Sequence, residues 1–429
     1  MKPFVFLPRG ILLCLLTGVL ALPAPAGSGG SIYSMMGIGD LRDNFGIRSA
    51  GMGYTGMGIV SANYINPGSP ASWSRINRTR VDASVLYEGF SSSDGFGSRY
   101  LAHATFNGAT LAIPVSPEHG IAIVGGFLPY SNVDYDTYTH GTGITPSDTV
   151  PYSFHHVGSG GIGVGKLGVS WMPVPSVAVG ASLNYYSGSI DYVGTLVPAA
   201  SSIQGGQFSR STSYKGAGAT FSMLLSGLGG IARALEPLSI GATVSSRTAL
   251  TTSQQTTLGF GTTATSFGNE LDTTAEAPGQ FVLPLSYAVG VAYTVGNSYL
   301  LAADFGAQLW RQSAINGASP VDLRNSSRIG VGIEKLPSTE TNAFWRELVA
   351  LRLGATYATT YYHPSGEAVN EWLVTGGITM PISRESRLSL AAEYGVRGKL
   401  APGLVRDRVF RFRATLTVAE FWFIRMPEE

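Results

Sequence analysis

Leu388-Ser389-Leu390-Ala391-Ala392-Glu393-Tyr394-Gly395-Val396-Arg397 and Phe410-Arg411-Phe412-Arg413-Ala414-Thr415-Leu416-Thr417-Val418 decide the fold of this chain. In each stretch every second residue is aliphatic or aromatic, and the residues between are small, hydroxylic or charged. A period of two is the mark of a strand with one apolar face. If Arg397 sits opposite Asp407 in a hairpin, Glu393 comes to face Arg411. The same alternation runs through Phe281, Leu283, Leu285, Tyr287, Val289, Val291 and Tyr293.

Composition says what the apolar face meets. Charged residues make up 13% of the chain, against about 25% in an average soluble protein. Glycine supplies 56 of 429 residues, nearly twice the usual share of roughly 7%. A soluble sandwich would carry many lysines and glutamates on its polar face, and here that face is glycine, serine and threonine. Apolar-out, polar-in alternation belongs to a transmembrane barrel. After the N-terminal stretch no run of uncharged apolar residues is long enough for a helical span. The net charge of +1 and the lack of a basic run exclude a nucleic-acid binder.

Counting alternating segments predicts an all-β, fourteen-stranded antiparallel transmembrane barrel over residues 79–429, from 79–90 to 406–423. The third and fourth segments are 120–130 and 159–172; the seventh and eighth are 236–250 and 278–294. Most connections after even-numbered strands are short, and 131–158 and 251–277 read as long loops on the other side. That asymmetry is the outer-membrane pattern, and an even count leaves both barrel ends in the periplasm. Trp171, Trp345 and Trp422 are expected near periplasmic strand ends, with Trp310 and Trp372 near extracellular ones, as an aromatic girdle requires.

At the N-terminus, Lys2 and Arg9 precede the apolar stretch Ile11 to Leu22 and the small-residue box Ala24-Pro25-Ala26. This reads as a signal peptide, residues 1–26. Removing Lys2 and Arg9 from 28 basic residues leaves 26 against 27 acidic ones, a net −1. The single cysteine, Cys14, falls inside that signal, so the mature chain offers no disulfide and no thiol ligand or nucleophile.

Residues 27–78 do not alternate. They hold Gly51-Met52-Gly53-Tyr54-Thr55-Gly56 and Asn66-Pro67-Gly68. A compact unit of this size ahead of the first strand is read as a plug in the lumen. On the Gly51–Gly53 run, the Asn66-Pro67 motif and the fourteen-strand count, the chain resembles the FadL-like outer-membrane transporters. Gly126-Phe127-Leu128-Pro129-Tyr130, ending the third strand, resembles them too. The resemblance implies an N-terminal hatch marked by Gly51, Gly53, Gly56, Asn66, Pro67 and Gly68. It also implies passive uptake of hydrophobic molecules such as long-chain fatty acids through the outer membrane. Ile32-Tyr33-Ser34, Gly37-Ile38-Gly39-Asp40 and Trp422-Phe423 look most like Bacteroidetes-type members. These include PorV-type barrels of type IX secretion, so a non-transport reading stands beside the first: a secretion shuttle or surface-protein anchor with a protein partner.

Other motifs carry less. Gly51 to Gly56 and Gly163 to Gly168 both match G-x-G-x-x-G, but neither opens a helix after a strand in a βαβ unit. His155-His156 is the only close histidine pair and lacks a carboxylate at ligand spacing. No G-x-S-x-G occurs and no strand pairs Ser and His on the lumen face, so no triad is expected. With the nucleotide and metal motifs also set aside, the chain is expected to be no enzyme and to hold no cofactor or metal. By parity Lys166, Asp304, Arg328, Glu334, Arg352, Glu393, Arg397, Arg411 and Arg413 point into the lumen. Such charges pair with one another or with the plug. Alternatively Arg328, Arg352, Arg397, Arg411 or Arg413 holds a substrate carboxylate by charge-assisted hydrogen bonds. Finally, Gly125, Gly126 and Pro129 mark the third strand for a break in the wall, because proline lacks the ladder N–H. A plugged lumen then releases its cargo sideways there; the other reading is that Pro129 simply ends the strand above the membrane.

Overall fold

The computed structural model describes residues 29–420, apart from positions 44, 96, 145–148, 200–203, 231, 262–271, 318–322, 339, 341–342, 384 and 402–403. The signal peptide, its cleavage site and Trp422 lie outside the described residues. The barrel strands are β1 (Thr79–Ser93), β2 (Ser98–Ser116), β3 (121–144), β4 (Thr149–Val174), β5 (Val177–Pro198) and β6 (Gly205–Leu225). They continue as β7 (238–261), β8 (272–295), β9 (Tyr299–Gln308), β10 (Ser326–Lys335), β11 (Ala350–Thr359), β12 (Asn370–Pro381), β13 (Arg387–Arg397) and β14 (Arg406–Glu420). Each pairs antiparallel with its neighbour, and β14 pairs with β1 from Arg406↔Ser93 to Glu420↔Thr79, which closes the fourteen-stranded barrel. In the last hairpin Glu393 faces Arg411 and Arg397 faces Asp407, the register read from charge alone.

Three strands are interrupted. β7 breaks at Ser246-Arg247 and β8 at Pro284-Leu285, side by side, and the register carries through: Val244 faces Tyr287 and Thr248 faces Leu283. The break in β3 at Tyr130 is different. Its lower piece, Ile121–Pro129, pairs with β2 as far as Ala109↔Phe127 and with β4. Its upper piece, Ser131–Ile144, stays on β4 but has no ladder to β2. Gly160 and Gly161, with φ of +104° and +146°, absorb the change of course on β4.

The described residues of 131–158 and 251–277, namely 131–144, 149–158, 251–261 and 272–277, are therefore strand and not loop. β4 has 26 residues, β5 has 22 and β6 has 21, whereas β9, β10 and β11 have 10 each. On β5 the outward residues Leu183 and Tyr185 are 70% and 54% exposed, and above them come Ser187, Ser189 and Asp191. The stretch 177–185 is the length a tilted strand needs to cross, about 9–11 residues. Above that line the outer face meets water and stops being apolar. The period-two hydrophobic signal vanishes while the strand goes on, which is why these extensions look like loops in sequence.

On the other strands too, the outward face is a belt of large apolar side chains, including Phe106, Phe127, Val169, Phe221, Ile329 and Leu353. Trp171, Trp345 and Trp372 are exposed. Trp310 is not a girdle residue. It is fully buried in a short 3-10 turn and stacks on Tyr361 at 4.3 Å, within an apolar cluster that includes Tyr33, Phe281 and Tyr362.

Candidate functional site

Residues 29–78 run down the inside of the barrel. Ser31 and Tyr33 bond to Asp407 and Val405 near the upper end of β14. Asp40-Leu41 forms a two-residue strand against Asn132 and Ser131 of β3. Lower down, the Gly51 to Gly53 run lies with its backbone against wall glycines. A Cβ added at Gly332 would come within 2.4 Å of the Met52 carbonyl oxygen, and one at Gly354 within 2.2 Å of the Gly53 nitrogen. Gly53 itself sits at φ +66°, open to glycine far more readily than to other residues. The glycine wealth of the inward face thus allows backbone to lie on backbone.

Asn66 folds the next turn. Its Nδ2 donates to the Gly56 carbonyl at 3.1 Å, and its Oδ1 accepts from the Gly68 N–H at 2.9 Å. Two N–H groups, of Gly56 and Met57, donate to Asp304 Oδ2 at 2.7 and 2.8 Å. Lys166 Nζ donates to the Pro67 carbonyl at 3.0 Å.

Buried ion pairs fix the segment to one side of the wall. Arg48 Nε donates to Glu334 Oε2 at 2.8 Å, and Arg352 donates to Glu334 Oε1 at 2.9 Å and to the Tyr64 hydroxyl at 2.7 Å. Arg413 pairs with Glu393 at 2.8 Å; both also touch the Tyr54 hydroxyl, which donates to Glu393 at 2.6 Å. Burial raises the Tyr54 phenol far above its ordinary value, so it stays a donor. Arg397 joins Asp40 at 2.7 Å to Glu371 at 3.2 Å. Arg411 reaches Glu88 at 2.6 Å, Glu371 at 3.0 Å and Glu393 at 3.5 Å. Arg328 pairs with Asp43 and lies 4.7 Å over the Tyr54 ring.

Above this floor is a lumen cavity of about 240 Å³. Phe45, Tyr54 and Met57 line its base, and Val164, Tyr186 and Tyr130 line the flank at the β3 break. Arg42, Lys166, Arg328 and Arg397 are its cations among the described residues. Of these only Lys166 has no carboxylate within ion-pair distance.

A family model, BamG, matches residues 9–427. The chain belongs to the BamG family. No curated protein matches. Among solved structures this BamG-family chain is similar to the toluene transporter TbuX of Ralstonia pickettii, at 14% identity and TM-score 0.57, covering 88% of this chain and 98% of that one. It is similar to a FadL homologue of Pseudomonas aeruginosa, at 11% identity and TM-score 0.59, covering 88% and 99%. The toluene transporter TodX of Pseudomonas putida matches at 13% and TM-score 0.55, covering 89% and 100%. At such identities the likeness is one of fold. With its closed ladder and apolar belt, this BamG-family member is an outer-membrane β-barrel with a FadL-like fold.

In this BamG-family barrel all nine charges assigned inward by parity do meet a partner in the lumen. Arg352, Arg411 and Arg413 lie beneath protein carboxylates and do not line the cavity; Arg328 and Arg397 line it but are ion-paired. Gly125 and Gly126 face Leu111 and Thr110 in an intact ladder, so the wall is closed at both, and Pro129 sits at the break itself. Glu88 and Glu371, central to the network, lie buried on the inward faces of β1 and β12, two strands from which no inward charge was assigned; the alternation of those strands is the signal for them. Tyr130 and the segment's own Arg42 and Arg48 carry no periodic signal. His155 contacts Asp136 at 2.9 Å, and among the described residues no group of three side chains could hold a metal ion.

Proposed function

We propose that this barrel takes up small hydrophobic compounds from the cell exterior, through the lumen cavity and then sideways through the wall beside β3. Residues 29–78 are the hatch that closes the straight path to the periplasm. The observation that carries this reading is the position of Tyr130, which both lines the cavity and marks the point where β3 leaves β2. A cavity of about 240 Å³ exceeds the roughly 150 Å³ that takes up benzene in an engineered core. The transporters it resembles in fold are named for toluene or for FadL, and single-ring compounds suit this volume best. Compounds with an anionic head would place it at Lys166, in preference to the five arginines, each of which is already ion-paired with one or more of Glu88, Glu334, Glu371, Glu393, Asp40 and Asp43.

The test is uptake of labelled toluene and of labelled dodecanoate by cells of a Gram-negative host stripped of its own hydrophobic channels. Expression of the folded barrel should raise toluene uptake, and Val164→Trp, which fills the cavity flank, should abolish the gain. No gain over the empty host would overturn the reading. Lys166→Met should lower dodecanoate uptake and spare toluene.

A second reading, a barrel that anchors or carries a protein partner, has its own observation. β3 to β8 project a continuous sheet well above the apolar belt, with an outer face of Ser187, Ser189, Ser209, Ser211 and Ser213. A stoichiometric protein retained through purification, together with absent uptake, would favour it.

A further inference from the structure

Between the upper halves of β2 and β3 there is no backbone ladder, and the described contacts that cross this opening centre on one side chain. His103, on β2, turns its Nε2 to Glu88 Oε2 of β1 at 3.4 Å and its Nδ1 to Asp134 Oδ2 of β3 at 3.4 Å. Arg42 of the hatch is 3.5 Å from the same Nε2 and pairs with Glu88. Glu88 also takes Arg411 of β14, and Asp136 lies two residues above Asp134 on β3. Gly30 runs alongside, donating its N–H to the Asp134 carbonyl at 2.8 Å.

A neutral imidazole has one N–H donor and one lone-pair acceptor. With a carboxylate at each nitrogen, a neutral ring can bond only one of them and presents a lone pair to the other. Consistent with this, Nδ1 has no hydrogen-bond partner. An imidazolium donates at both nitrogens and would tie Glu88 to Asp134 across the opening.

We propose that His103 is a pH-operated latch that joins β2 to β3 across the wall opening, shut in acid and released toward alkaline pH. The sign follows from the donor count: a protonated ring donates at both nitrogens and a neutral ring at one, so the tie is present at the acid end and is lost as the pH rises. Free imidazoles as a class change charge between about pH 5 and 8, and that range sets the window of the test. As a control on uptake it rests on the lateral route proposed above. As a movement of the wall it does not.

The test therefore has two readouts. In a Cys14→Ser background, spin labels at Arg99→Cys and His140→Cys, both exposed and on opposite lips, report the width of the opening. The distance should be shorter and its distribution narrower at pH 5 than at pH 8, across the imidazole range. His103→Gln, and separately Asp134→Asn, should remove that shift. Toluene uptake should be several-fold slower at the acid end for the parent and independent of pH for His103→Gln. A distance that ignores pH in the parent, or that shifts equally in His103→Gln, would overturn the latch. A distance shift that depends on His103 without uptake at any pH would sink the transport reading and leave the latch standing.

Discussion

The lumenal segment 29–78 meets two walls in two different ways. Against β10 to β14 and β1 it is held by buried charge: Arg48 on Glu334, Asp40 on Arg397, Tyr54 between Glu393 and Arg413. Against β3 it is held by a two-residue strand, by Gly30 and by Ser34, whose hydroxyl donates to the Asp134 carbonyl at 3.0 Å. Beside that contact, at Tyr130, the upper piece of β3 parts from β2. The riveted side resists change because separating a buried ion pair leaves an uncompensated charge. The β3 side gives up only neutral hydrogen bonds. The lateral route proposed above then needs only the β3 flank to move, with residues 29–78 left in place.

The contrast can be broken by substitution. Glu334→Leu should have the largest effect, because it strands both Arg48 and Arg352; removing one partner of a buried pair costs about 3–5 kcal/mol. The midpoint of heat-modified migration on gels should fall sharply. Arg411→Glu comes next, placing a carboxylate among Glu88, Glu371 and Glu393. Adding Glu393→Arg should restore part of the lost stability, and no recovery would contradict the register of the last hairpin. Gly53→Ala is smaller: its φ of +66° and a Cβ within 2.5 Å of the Ala355 and Val331 carbonyls imply at least about 1–2 kcal/mol of strain. Smallest is Ser34→Ala on the β3 side, worth about 1 kcal/mol for a neutral hydrogen bond. If Ser34→Ala destabilised the barrel as much as Glu334→Leu, the distinction between the two walls would be lost.

Much of this was legible in the chain. The period of two in 388–397 and 410–418 specified strands, and the weak charge of the polar face placed it inside a membrane barrel. Inward parity found Glu334, Arg352, Glu393 and Arg413 before any contact was known, because side-chain direction in a strand is fixed by position. Partners were not legible, since pairing an arginine with a hatch carboxylate depends on where a non-periodic segment runs. The extensions of β3 to β8 were hidden for a different reason. Above the bilayer neither face of a strand must be apolar, so Asp134 to His140 or Thr251 to Thr257 spell strand and loop alike. Trp310 misled because aromatic residues at strand ends serve the girdle and the lumen cap equally well.

The central claim, sideways release beside β3 through movement of that flank against a seated inner segment, is tested most directly by tying β3 to that segment covalently. A Cβ built at Gly30 lies 3.6 Å from the Asp134 Cβ, within the range of about 3.5–4.5 Å for a disulfide. The pair Gly30→Cys and Asp134→Cys, in the Cys14→Ser background, pins the hatch's upper segment to β3 and leaves the lumen floor untouched. Toluene uptake should stop in the oxidised barrel and return on reduction. Equal uptake by the oxidised and reduced forms would contradict the lateral route.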